Sequence, residues 1–148
     1  MKKQDTTKSG FTLVELMVVA VIVSILAAVS IPLMTANKKR AMATEAEASL
    51  GSVRTTLRAM FAQTGAYNVD LNGSAIGAGG VAGVVPGIAT GDLDGRYFDD
   101  AAYAITAIGA NAYTLTATGD NSSAPEASEV AGVVVTINEM GALSRAGL

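Results

Sequence analysis

The stretch SGFTLVELMVVAVIVSILAAVSIPLMTANKKR, residues 9–40, decides how the rest of the chain is read. From Phe11 to Ala36 it runs 26 residues with a single charge, Glu15. As a helix rising 1.5 Å per residue this is roughly 39 Å, enough to cross a hydrocarbon core of about 30 Å with some tilt. A secretory signal peptide has an apolar stretch of about 7–15 residues. This run is longer and carries an acid, and the small-x-small sequence Ala41-Met42-Ala43 lies beyond the basic run Lys38-Lys39-Arg40. A membrane anchor is therefore the simplest reading.

Three details go beyond an anchor. Ser9-Gly10 sets a small residue directly before the apolar run, and the acid follows five positions in. A charge at depth in a membrane helix costs about 2.5–3.5 kcal/mol on insertion scales, so Glu15 calls for a partner or an interfacial position. Pro32 removes a backbone donor and its ring meets the carbonyl of Ala28, which predicts a kink or a loosened stretch.

Taken together these residues resemble the N-terminus of type IV prepilins and type II secretion pseudopilins. The resemblance covers about residues 8–40 and is carried by Gly10, Phe11, Glu15, the apolar length and Pro32. It implies a leader of residues 1–10, cleavage between Gly10 and Phe11 by a prepilin peptidase on the cytoplasmic side, and N-methylation of the Phe11 amine. It further implies that Glu15 of one subunit neutralises the Phe11 amine of a neighbour. An unpaired buried charge is strongly penalised while a pair adds little net stability, so this contact would set register. Orientation rests on the same resemblance. Lys2, Lys3 and Lys8 against Asp5 at one end nearly balance Lys38, Lys39 and Arg40 at the other.

Beyond Ala36 the apolar period changes. Met42, Ala46, Leu50, Val53, Leu57 and Phe61 form one stripe of an amphipathic helix, with Arg40, Glu47, Arg54 and Arg58 off it. The helix is expected to reach about Gln63, with Gly65 as its stop. Both halves together would measure roughly 80 Å. The stripe is too short for the three to four heptads of a coiled coil, so it is expected to pack on this chain's own sheet. The basic run Lys38-Lys39-Arg40 is expected as a solvated or headgroup collar.

Residues 73–91 are rich in Gly and Ala around Pro86 and read as a loop. Gly77-Ala78-Gly79-Gly80-Val81-Ala82 matches a dinucleotide fingerprint, but no clear strand precedes it and no helix follows. Strands are expected over Tyr103–Ile108, Tyr113–Thr118 and Val133–Asn138, with Tyr113, Leu115, Ala117, Val133, Val135 and Ile137 inward. The short turns make them antiparallel. The predicted fold class is α+β: a long N-terminal helix packed on a 3–4-stranded antiparallel sheet, with Tyr97 and Phe98 entering the core. The corresponding segments are residues 1–10, 11–36, 37–64 and 65–148.

The chemistry available is narrow. There is no Cys and no His, so no disulfide, thiolate or imidazole site exists, and no enzyme constellation emerges. The net charge is −3, and −5 without residues 1–10, which argues against nucleic acid as a partner. Asp92, Asp94, Asp99 and Asp100 form the densest carboxylate group and are weak calcium candidates, with Asp120, Glu126 and Glu129 weaker. Some major pseudopilins bind calcium in this domain, which is why the group merits a test; no other cofactor is expected. Asn121-Ser122-Ser123 matches a glycosylation sequon.

The expected role is a structural subunit of a type IV pilus-like filament, a homo-oligomer held through the apolar half-helix. By the resemblance, its other partners are the prepilin peptidase, inner-membrane assembly machinery and, before assembly, membrane lipid of the bacterial inner membrane. A type II secretion pseudopilin and a non-polymerising, membrane-anchored binding domain are the alternatives. An intact Met1 in the mature protein would favour the last.

Overall fold

A computed structural model describes residues 10–148. Lys2, Lys3, Asp5 and Lys8, and with them most of the expected leader, lie outside the described residues. Helix α1 spans Leu13–Thr64, 52 residues, and passes through Pro32 with no break in its helical assignment. The chain divides into two compact units, one ending at Thr35 and one from Ala36 to Leu148.

In the first unit the apolar side chains stand free. Every large one from Phe11 to Met34 is more than half exposed. Two hydroxyls within the run turn back on their own helix: Ser24 Oγ donates to the Ala20 carbonyl at 2.7 Å. Thr35 Oγ1 donates to that of Ile31 at 3.1 Å. Polar groups satisfied inside their own segment suit a medium that offers no hydrogen bonds.

The second unit holds the core. Met42, Ala46, Leu50, Val53 and Leu57 are buried, as the stripe requires, together with Ala43 and Met60. Phe61 is only partly buried at the margin and stacks on Tyr67 with centroids 4.4 Å apart. Met60 takes the inner position because 3.6 residues per turn drifts against spacings of 4. Gly65 ends the helix in a left-handed conformation, φ 77°, its N–H donating to the Phe61 carbonyl at 2.8 Å.

Five strands form an antiparallel meander: β1 Gly79–Gly80, β2 Tyr103–Ile108, β3 Tyr113–Thr118, β4 Val134–Asn138 and β5 Leu143–Ala146. The α+β class and the helix-on-sheet core match the expectation, and the sheet exceeds the three or four strands expected. The two extra strands sit at the edges. β1 is two glycines with no β propensity, and β5 exposes every side chain and so shows no burial alternation. Tyr113, Leu115 and Ala117 of β3 and Val133, Val135 and Ile137 around β4 all face the helix.

The Gly-rich segment is more than a connector. Ile76, Val81, Val85 and Ile88 are buried in the same core as the helix stripe, and β1 pairs with β2. Glycines let the backbone bend tightly enough to return an apolar residue every few positions. No helix follows Gly79–Gly80, so the fingerprint-like sequence has no phosphate-binding geometry. Phe98 is fully buried and Tyr97 packs at the edge of the core.

Candidate processing and assembly segment

Gly10, Phe11 and Thr12 precede the first helical residue, Leu13, as irregular backbone. Gly10 and Phe11 are exposed. A Cβ placed on Gly10 would meet no atom within 4 Å among the described residues. Nothing among the described residues therefore demands glycine there.

Thr12 and Glu15 form a reciprocal cap on α1. The Thr12 N–H and Oγ1 each donate to Glu15 Oε2 at 2.8 Å, and the Glu15 N–H donates to Thr12 Oγ1 at 3.2 Å. This is the Ser/Thr-x-x-Glu capping box, in which two otherwise orphaned donors are satisfied. Its sequence signal, Thr12-Leu13-Val14-Glu15 ahead of an apolar run, is readable in advance, though the reading above assigned Glu15 to an intersubunit contact alone. Both bonds use Oε2. Glu15 Oε1 has no hydrogen bond among the described residues, so the carboxylate can cap its own helix and still face an external cation.

Pro32 lies one turn before the boundary between the two units. The basic run beyond it is not a free collar. Lys38 Nζ bonds Glu129 Oε2 at 2.9 Å, and Lys39 Nζ donates to the Ala131 carbonyl at 2.9 Å. Both contacts pin the turn around residues 127–131 to the helix. The Lys38 ammonium is held above its usual range by that Glu129 bond. Of the three basic residues only Arg40 is fully exposed without a described partner.

A second anchor escaped the sequence reading. The Glu45 carboxylate accepts the N–H groups of Tyr97 and Phe98 at 2.9 and 2.8 Å, and that of Arg96 at 3.2 Å. Gly95 lies against it, where a Cβ would collide with Glu45 Oε1. Arg96 in turn pairs with Glu126, and Arg145 of β5 pairs with Glu47. The Arg96 bond holds the Glu126 carboxyl below its usual range. No local pattern announces these contacts, because their partners lie 30 to 98 residues away.

The acidic loop is committed to its own backbone. Asp92 Oδ2 accepts the Ala89 N–H, Asp94 Oδ1 the Asp100 N–H, and Asp100 the N–H groups of Gly91 and Leu93. Asp99 Oδ2 accepts the Ser123 N–H, and its Oδ1 is buried without a partner. Asp120 accepts the Gly132 N–H. Among the described residues no three carboxylates converge as a metal site would require. Asn121 of the sequon is exposed in a short 3-10 turn.

Residues 6–31 match the family model described as the prokaryotic N-terminal methylation motif. No curated protein matches the chain. Among solved structures the chain is similar to the non-core minor pilin PilV of Neisseria meningitidis. Identity is 17%, the TM-score is 0.47, and the match covers 74% of this chain and 88% of that one.

Proposed function

For a chain that is type IV pilin-like and carries the N-terminal methylation motif, we propose the role of filament subunit, cut between Gly10 and Phe11 and polymerised through its apolar half-helix. The observation that carries this reading is the pairing of that motif with an apolar run, Phe11 to Met34, whose large side chains are all more than half exposed among the described residues. The sixteen large apolar side chains exposed between Phe11 and Met34 are poorly accommodated by water, so they belong in lipid before assembly and against other copies afterwards.

The capping geometry supports two separate roles for Glu15. Within the chain its Oε2 starts the helix. Between chains its Oε1 is open to the cationic amine of a neighbouring Phe11. Gly10 supports an outside requirement: the fold leaves room for a side chain there, so the demand for glycine comes from a peptidase that must take the bond in extended form. That peptidase, the assembly machinery of the inner membrane and other copies of the chain are the partners in this reading. The precursor sits in the membrane, and the product is a cell-surface pilus or a periplasmic pseudopilus.

The test is N-terminal sequencing of sheared filaments from cells expressing the wild-type chain and Glu15→Val. The wild type should begin at a methylated Phe11. The variant should be processed yet yield no filaments. Filaments beginning at Met1, or normal assembly of Glu15→Val, would overturn the reading.

A further inference from the structure

Six asparagines occur in the chain, and only Asn72 is followed by glycine. The pair sits at the tip of a small hairpin, residues 68–76, that leads from the helix into the Gly-rich segment. The Ile76 N–H donates to the Asn68 carbonyl at 2.9 Å, Val69 bridges Ala75, and the Asp70 N–H donates to the Ser74 carbonyl at 2.8 Å. Tyr67 and Ile76 at its base are buried, while residues 71–75 are exposed. Asp70 Oδ1 accepts the N–H groups of Asn72 and Ser74 at 2.9 and 2.7 Å. The Gly73 N–H between them has a longer bond, 3.1 Å to the Asp70 carbonyl.

Two features leave this peptide bond open to the side chain that precedes it. The Asn72 side-chain amide makes no hydrogen bond among the described residues; only its backbone N–H does. Gly73 lies at φ 83°, with no described atom within 4 Å of an added Cβ, so nothing crowds the residue. An exposed hydrogen bond has little net value because water replaces it, so the Gly73 bond opens readily. The related pair Asp94-Gly95 is the contrast. The Gly95 N–H is tied to the Phe98 carbonyl at 2.7 Å, and Gly95 is pressed against Glu45. Asp94 Oδ1 is held by the Asp100 N–H, and an ionised carboxylate is a poor electrophile.

We propose that Asn72-Gly73 is a self-modification site of the folded protein. The deprotonated Gly73 nitrogen attacks Asn72 Cγ, a C–N bond forms, and the side-chain nitrogen takes up a proton and leaves as ammonia. Water then opens the succinimide ring at either carbonyl. Opening at Cγ gives aspartate. Opening at the main-chain carbonyl gives isoaspartate, whose backbone runs through the side-chain carbon. The only co-reactant is water. Either product replaces a neutral amide by a carboxylate close to Asp70, and takes the chain without residues 1–10 from −5 to −6. Isoaspartate also lengthens the backbone between Asp70 and Gly73, so the turn bond and the Val69–Ala75 bridge lose their register.

The experiment ages the full chain, folded in detergent, in neutral and mildly alkaline buffer, beside Asn72→Gln and a urea-unfolded sample. Peptide mass mapping locates each exchange of NH2 for OH, and enzymatic methylation of isoaspartyl groups counts the rearranged product. The folded wild type should accumulate product at residue 72 alone, about tenfold faster per pH unit, in step with the deprotonated nitrogen. Its hairpin amides, Gly73 and Ser74 foremost, should exchange faster once modified. Asn72→Gln, whose longer side chain closes a less favourable ring, should stay unmodified over the same interval. Conversion of the unfolded sample with none of the folded one would show that the turn shields the pair, and the inference falls. It falls too if neither sample converts, or if Asn68 or Asn121 converts as fast in the folded chain.

Discussion

Replacing Glu45 by Ala should be among the costliest polar changes in the second unit. Three backbone N–H groups end on its carboxylate, those of Tyr97 and Phe98 at 2.9 and 2.8 Å and that of Arg96 at 3.2 Å. The Arg96 N–H can turn to water. The other two are part-buried beside Phe98, whose side chain is fully buried. A hydrogen bond to a charged group contributes about 1.5–3 kcal/mol net, and part of that is recovered by solvent leaking into the gap. The expected loss is about 3 kcal/mol for Glu45→Ala and about 1 kcal/mol for Glu45→Gln, which keeps one acceptor oxygen. Every core residue lies between Met42 and Ile137, so a soluble chain of residues 36–148 is the material for the measurement. At about 4 °C per kcal/mol for a unit of this size, Glu45→Ala should melt about 12 °C below the wild type. Urea titration should show a lower midpoint with an unchanged slope. Gly95→Ala, which drives a methyl into the same carboxylate, should be destabilising as well. A loss under about 1 kcal/mol for Glu45→Ala, or equal losses for Ala and Gln, would refute the assignment of Glu45 as the clamp on residues 96–98.

Gly10→Val should leave the fold untouched, because no atom lies within 4 Å of the added Cβ, and should block removal of the leader; intact-mass analysis of membrane-bound chains reads this directly. Burial pushes the Tyr103 and Tyr113 hydroxyls up to about 12. The neutral form is the one the fold holds, so this stability is complete below pH 10 and is lost as pH rises through about 12. Melting curves should stay flat to about pH 10 and then fall, and Tyr113→Phe should fall less. The same variant removes a buried hydroxyl with no partner, so at pH 7 its midpoint should equal or exceed the wild type. Calcium should not move the melting midpoint, since the carboxylates of Asp92, Asp94 and Asp100 already close backbone turns; a calcium-dependent rise would show that these bonds give way to a metal.

How much was legible in advance depended on how local the cause was. Hydrophobic length, the change of period after Ala36 and the glycine at 65 are properties of neighbouring residues, and they set the helix from Leu13 to Thr64. Two-residue alternation did the same for β2, β3 and β4. Strands β1 and β5 have no such pattern. A Gly-Gly pair becomes a strand only because β2 offers an unpaired edge, and Leu143–Ala146 only because β4 does. The same holds for charge. The fate of Lys38 and Lys39 could not be read from a basic run, because the acceptors that bind them, Glu129 and the Ala131 carbonyl, come from a turn some 90 residues later.

By itself, then, the order of residues determined the apolar segment, the cap that opens its helix, the motif at its head and the class of fold, each a matter of spacing within a few turns of chain. Tertiary structure decided which carboxylate grips which backbone and how the glycine-rich segment buries its apolar residues. It also decided that the threonines of three strands would share one face. Those outcomes depend on distances between residues far apart in the chain, and such distances exist only once the helix and sheet have packed.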